Sequence, residues 1–577
     1  MYYTIDRFER QVLDTLRATD LIDPNLVVVE RPKAAIPADL AFPTFRSARL
    51  HGTAPYAFAQ KITAAIRVPS NSLIGAVTAV GPFVNFRIAP FAFAESVLTE
   101  IQTLEDAYGH DNIGAGKTVI IDYSSPNVAK RMHIGHIRST IIGQALANIL
   151  SALGFAVVRD NHLGDWGKSF GVLLAGIARE GIPAREGEQL LAALEDLYAR
   201  ASKTAEADPG FDQEARDWGR RLELGDPSAR QHWRQMVDLT IRVNQASYDR
   251  LGVQFDHTYG ESFYEPFLAG IIETVEQSAV AHRDTSGALV VNVGEHFPTF
   301  LLQRSDGASL YHTRDLATIQ FRIETFRPAQ IIYVVGAPQE LYLRQLFALA
   351  DAVGMVHGAK LVHVPFGTVF DASGQPLSTR RGNMVYLEDL LNRAHARART
   401  IVDGSHADLS EDERDDIAEA VGIGAVIYND LHQDPLRSIT LDWNQMLAMD
   451  GDSAPYIQYM YARCRSILRR VADSNEVTAA TPDDLSLLAH PSEIDLIKQL
   501  SRLPQVTREA GARYAPNLVA AWCYETARFI AAFYRDCPVL QAEQAPLRAA
   551  RVQLVDAASQ ALKNGLQLLG ISAPERL

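Results

Sequence analysis

The chain has 577 residues, 47% of them hydrophobic and 21% charged, a globular composition that excludes a disordered or low-complexity protein. Its net charge of -14, from 55 Lys+Arg against 69 Asp+Glu, excludes a bulk electrostatic grip on nucleic acid, so any RNA contact must use local basic faces. No apolar run approaches the ~18 residues of a membrane span, residues 1–7 lack the layout of a signal peptide, and Cys464, Cys523 and Cys537 have no metal-ligand spacing, so a reducing cytoplasm is the expected compartment.

At roughly 100–200 residues per domain the length suggests about three to five units. Residues 1 to about 112 read as a small α/β unit, with a helix near the start and strands at 76–80 and 83–88 about the turn Gly81-Pro82. Residues 108–116 look like a linker. The β-branched apolar run at 117–123 suits a strand buried on both faces, as in a parallel sheet. A polar loop follows, then a helix from about 134 to 153 stopping at Gly154, and a strand at 155–159, which together read as a βαβ unit. Residues about 185–260 are charged and helical, an apparent insertion. Strands return at 288–293 and 330–335, with a helix from about 313 to 326 between them, and from about 415 every periodic segment reads as helix. Residues 455–577 hold 14 Lys+Arg and 12 Asp+Glu, a net of +2 that leaves -16 for the remainder. This permits RNA contact at the C-terminal end and is equally consistent with drift in composition.

The strongest chemical signal is Ser-Ser-Pro-Asn-Val-Ala-Lys-Arg-Met-His-Ile-Gly-His at 124–136, between the first strand of the βαβ unit and its helix. In an open parallel sheet ligands collect at the carboxyl ends of strands, and a helix start offers free N–H groups and a positive dipole to phosphate. His133 and His136 are three apart and face the same way, while Gly135 lets a flat ring or a ribose approach the backbone. That combination can hold ATP and stabilise charge building on its phosphates. By itself it leaves adenylate-forming synthetases and small nucleotidylyltransferases open, and two helix-start histidines are often solvated caps.

Further blocks follow in order: Asn-His-Leu-Gly-Asp-Trp-Gly at 161–167, Ser-Asp-Gly at 305–307, Leu-Tyr-His-Thr-Arg-Asp-Leu-Ala-Thr at 310–318, Tyr-Val-Val-Gly at 333–336 before Gln339, His-Val-Pro-Phe-Gly at 363–367, Leu-Ser-Thr-Arg-Arg-Gly-Asn at 377–383, Ala-Pro-Tyr-Ile-Gln-Tyr at 454–459 and Ala-Pro-Glu-Arg at 573–576. Taken together they resemble the arginyl-tRNA synthetase family of class I aminoacyl-tRNA synthetases over nearly the whole chain, most loosely in the N-terminal unit. The resemblance implies a Rossmann-type α/β catalytic domain at 113–440 with the helical insertion, an N-terminal α/β domain at 1–112 that contacts tRNA, and an all-helical anticodon-binding domain at 441–577. The implied reaction is ATP-dependent activation of L-arginine to arginyl-adenylate and transfer to the 3′ end of tRNA(Arg), by a monomer with no membrane partner. Mg2+ is expected to accompany ATP.

The same resemblance assigns Asp122, Ser125, Asn127, His136, Tyr311, Asp315 and Gln339 to arginine. It assigns His133, Gly135, His136, Phe366, Gly367, Ser378, Thr379 and Arg380 to ATP, with Lys130, His133, His136 and Arg380 catalytic. Tyr456, Tyr459, Arg463, Arg465 and Leu577 fall to tRNA, with Tyr461 beside them. The physical reading supports Asp315: a carboxylate takes a guanidinium in two parallel hydrogen bonds that lysine cannot copy, and Tyr311, four residues earlier, shares its helix face. The bland alternative is a dipole-favoured carboxylate beside a helix-start tyrosine. For the C-terminal tyrosines and arginines it is core packing, against stacking on an unpaired RNA loop.

Two departures from the family stand out. The Lys-Met-Ser-Lys-type loop lacks lysine at 376–381, where Lys130 and the arginines Arg380 and Arg381 keep positive charge available, and Tyr342 stands where the family usually has histidine. They leave open a catalytically inactive tRNA-binding paralogue, and a specialised duplicate is open as well.

Overall fold

The computed structural model describes residues 3–32, 36–371, 373–375, 377, 385–405, 409–474 and 480–577. The N-terminal unit pairs strands Leu40–Pro43 and Ile74–Val80 antiparallel to a central Phe83–Ile88. Helices Thr4–Arg17, Pro55–Ala65 and Pro90–Leu104 pack Phe8, Val12, Phe58 and Phe93 around the buried Phe86. Residues 108–116 are no free linker. Tyr108 is buried, its hydroxyl donates to the Leu500 carbonyl at 3.1 Å, and Asp111 pairs with Arg508 at 2.8 Å, so this segment fastens the unit to the C-terminal helices.

At the centre lies a four-stranded parallel sheet of β1 (Thr118–Asp122), β2 (Ala156–Asp160), β3 (Gln330–Gly336) and β4 (Lys360–Phe366), in the order β4-β3-β1-β2. Val119, Ile120 and Ile121 of β1 are all 0% exposed, as a run without alternation requires of a strand covered on both faces. Helix α1 (Ile134–Ala152) follows β1 and is apolar on nearly every side, because it is sandwiched between the sheet and the C-terminal helices. The chain leaves β1 towards β2 and later returns to β1's other side with β3. The strand order therefore reverses at β1 and β3, where an open α/β sheet leaves a crevice at its carboxyl edge.

The insertion is helical, with Gly187–Ala207, Pro209–Glu223 and Pro227–Leu251 closing on Lys168–Glu180 through Leu173, Leu191, Leu194, Leu222 and Met236. The strand expected at 288–293 forms only as Leu289–Val291. It belongs to a separate antiparallel sheet with Ala281–Arg283 and Phe300–Gln303, not to the parallel one. Its burial alternates, Val290 being less covered than its neighbours, which is the mark of a sheet covered on one face. From Glu411 onward the elements among the described residues are helices apart from Ile439–Thr440, which pairs parallel to Val369–Phe370 and ties the region after β4 to the C-terminal half. All three cysteines are buried. Among the described residues no helix is long and apolar enough to cross a membrane.

Candidate active site

The loop after β1 is held in an unusual conformation. Ser124, Ser125 and Ala129 have φ of 72°, 50° and 59°, the left-handed region that L-residues rarely adopt. Hydrogen bonds from several elements hold it there. The Ser124 N–H donates to Ser139 Oγ at 2.9 Å, and its hydroxyl lies 2.7 Å from that of Tyr248 on the insertion. Ser125 N–H donates to Asn161 Oδ1 at 3.2 Å, Ser125 Oγ–H to Asp122 Oδ1 at 3.0 Å, and Ala129 N–H to Thr240 Oγ1 at 3.0 Å. Asn127 is fixed by a backbone bridge to Gly164, where a Cβ would lie 2.5 Å from Asn127 Oδ1. The insertion thus braces the loop.

His133 caps α1. Gly135 N–H donates to His133 Nδ1 at 3.1 Å, and His133 N–H donates to His136 Nδ1 at 3.1 Å, with the two rings 4.1 Å apart. Since both Nδ1 atoms accept, the neutral rings carry their protons on Nε2. Burial lowers both histidines, His136 to about 3, so at neutral pH they act as uncharged N–H donors. Gly135 is exposed between them, and a side chain there would meet the His133 ring at 2.9 Å. The Lys130 ammonium sits 5.1 Å above the ring of Tyr198. Lys130, Asn127, Gly164, Tyr311 and Glu261 share a cavity of about 230 Å³.

Other carboxylates lie close to Glu261 of that cavity. Arg322, on helix α2 (Tyr311–Phe326), is fully buried and donates to Asp122 Oδ2 at 2.6 Å and to Asp160 Oδ2 at 2.7 Å. Asp122, expected to contact arginine, is thus engaged within the protein: one of its oxygens accepts from Arg322 and the other from Ser125. Asp315, also on α2, is pushed up by burial, and its Oδ2 accepts from the Tyr342 hydroxyl. Glu261, in a 3-10 turn at Glu261–Phe267, is pushed up to about 7 by burial, with Asp315 and Asp165 adding to the rise. The one nearby arginine on its side, Arg314, is engaged by Glu265 at 3.0 Å. Glu261 escaped the sequence reading because a lone glutamate outside any periodic element carries no local signal. Tyr311, one turn before Asp315, is 68% exposed at the mouth.

The remaining expected residues divide. Gln339 is exposed in the short turn that follows β3, just before helix α3 (Glu340–Ala352). Phe366 ends β4 beneath the Arg138 guanidinium, 5.8 Å from its ring. Gly367 has both backbone groups in use, its N–H on the Pro435 carbonyl at 2.9 Å and its carbonyl accepting from Arg138 at 2.8 Å, and a Cβ there would strike the Leu436 carbonyl at 2.7 Å. Its lack of a side chain serves packing against residues 436–437. Arg138, fully buried and paired with Asp430 at 3.1 Å, therefore welds α1 to the end of β4. Ser378, Thr379 and Arg380 lie outside the described residues.

A family profile described as tRNA synthetases class I (R), catalytic domain, matches residues 98–443, and one described as DALR anticodon binding domain matches 457–577. The chain is 56% identical to the arginine–tRNA ligase of Chloroflexus aggregans over 577 residues, the whole of both chains. It is 36% identical to that of Halothermothrix orenii over 99% of this chain and 100% of the relative. The chain belongs to the class I arginyl-tRNA synthetases. Its fold is that of the Thermus thermophilus arginyl-tRNA synthetase, with a TM-score of 0.82 at 24% identity over 99% of this chain and 100% of that one.

In the C-terminal region this family membership covers, helix Ala454–Ser474 carries the expected RNA-facing residues. Tyr459 and Arg463 are exposed and line a cavity of about 420 Å³ with Arg469, Arg576 and Leu577. Tyr461 is core, 4% exposed. Tyr456 is half-buried, edge-on to Tyr524 at 6.1 Å, and Arg465 is paired with Glu575 at 3.0 Å. The helix's inner face is spent on packing, and Tyr459 and Arg463 are the most open of its expected residues.

Proposed function

We propose that the carboxyl edge of the parallel sheet is where this chain joins L-arginine to ATP and then to tRNA(Arg). Family membership along the full chain supports the reaction itself. A carboxylate oxygen of arginine attacks the α-phosphorus of ATP, diphosphate leaves, and arginyl-adenylate forms. A hydroxyl at the 3′ end of the tRNA then attacks the carbonyl, loses its proton, and AMP departs. The Nε2–H groups of His133 and His136 and the ammonium of Lys130 stabilise charge on the phosphates as diphosphate separates, with Mg2+ accompanying ATP as its counter-ion. Tyr459, Arg463 and Leu577 meet the tRNA. The enzyme acts as a cytoplasmic monomer.

One observation carries the choice of amino acid: the half-buried carboxylates of Asp315 and Glu261 lie close enough that Asp315 raises Glu261, while the nearby Arg322 is bound by Asp122 and Asp160 and Arg314 by Glu265. A guanidinium supplies a positive charge and the parallel donors that a carboxylate accepts. Asn127 and Tyr311 line the way in, and Gln339 holds the backbone end of the substrate. The test is ATP–pyrophosphate exchange in the presence of tRNA, with each amino acid in turn. Exchange is expected with arginine alone; exchange driven by lysine or by an uncharged amino acid instead would overturn the assignment.

A further inference from the structure

Tyr342 lies on the first turn of α3, three residues after Gln339. Its ring is 4.4 Å from that of His312 on α2, and His312 stacks in turn on Phe300 at 4.3 Å and 28°. Burial brings His312 down to about 4, so this row of rings is uncharged at neutral pH. Phe300 comes from the small antiparallel sheet, to which the start of α2 is pinned by Thr313 Oγ–H donating to the Leu302 carbonyl at 2.6 Å. The row thus sets the height and tilt of the Tyr342 ring. At its end the phenol hydroxyl donates to Oδ2 of Asp315.

We propose that Tyr342 is a positioning residue for arginine recognition: its hydroxyl holds one oxygen of the Asp315 carboxylate and thereby turns the other towards the guanidinium of the substrate. The inference rests on Asp315 being the guanidinium's partner. Two effects follow. Orientation is fixed before arginine arrives, so less rotamer freedom is lost on binding. The hydrogen bond also opposes the rise that burial imposes on the carboxyl, and so favours its anion. Burial and Asp122 favour its neutral form, whereas His162, the Tyr342 hydrogen bond and Arg322 favour the charged one. Glu261 faces the same group and repels its charge, while Tyr333, held neutral by burial, lies near it. An oriented anion discriminates by charge, because the neutral urea isostere of arginine leaves it uncompensated.

The test compares Y342F, which removes only the hydroxyl and keeps the stacked ring, with D315N. Pyrophosphate exchange with tRNA gives kcat and both KM values, and the rise in melting temperature on adding arginine gives binding without turnover. For Y342F the expected result is an arginine KM raised roughly tenfold, the size of one hydrogen bond to a charged group. The KM for ATP and kcat should stay within about twofold, and arginine affinity should fail on acidification at a higher pH than in the parent. D315N should raise the arginine KM further still. An unchanged arginine KM in Y342F beside a raised one in D315N overturns the role of Tyr342 alone. An unchanged KM in D315N overturns the guanidinium assignment and this inference with it. A parallel loss of all kinetic parameters in Y342F would mark a general lesion and overturn the inference too.

Discussion

Tyrosine and arginine occur at both the sheet edge and the helix Ala454–Ser474, and the two regions use them differently. At the edge the buried Arg322 and Tyr333 and the half-buried Tyr342 lie among carboxylates, Arg322 paired with Asp122 and Asp160 and Tyr342 hydrogen-bonded to Asp315. On the helix Tyr459 and Arg463 face solvent, with the Arg463 guanidinium 5.0 Å from the ring of Tyr534. The contrast teaches that a polar side chain acquires a strong, position-specific effect only where water is removed. In water its charge is screened and its partners are interchangeable.

The sharpest way to break this comparison is R322M. Removing the guanidinium leaves Asp122 and Asp160 buried and unpaired, a loss of about 3–5 kcal/mol. The urea midpoint of unfolding should fall accordingly; an unchanged midpoint would show that the pair is solvated after all. Next comes Glu261. A bound guanidinium favours its anion, and protons compete below its raised value, so the arginine KM should fall as pH rises through about 7. His162, Arg314, Asp315 and Asp165 surround Glu261, so E261Q is the control that must remove this inflection while raising the KM above it. A profile unaltered by E261Q would assign the titration elsewhere. The smallest effect is expected from R463A. The KM for tRNA should rise several-fold, about 1 kcal/mol, and the slope of log affinity against log salt should drop by roughly one, with arginine and ATP untouched. An unchanged salt slope would place Arg463 outside the RNA contact.

The sequence was most informative where local pattern and chemistry coincide. The buried run at Val119–Ile121, the helix that begins at His133, and the charged helices of the insertion follow from periodicity and from capping, which act over a few residues. The 108–116 segment misled because its glycines and polar residues resemble a linker, while what anchors it, Leu500 and Arg508, lies some 390 residues away. The partner of Asp122 was hidden for the same reason: its neighbours in sequence say nothing of Arg322, which pairs with it from another helix.

The order of the motifs determined by itself the family, the sheet and the presence of a nucleotide-binding helix start, since backbone propensity and hydrophobic period are written locally. Only the tertiary structure decided which charged groups meet. Asp122 is neutralised by Arg322, Glu261 is brought beside Asp315 from a turn between the insertion and the small sheet, and Tyr342 finds its partner on a neighbouring helix. Electrostatic pairing and desolvation depend on distance through space, and the fold sets those distances across hundreds of residues.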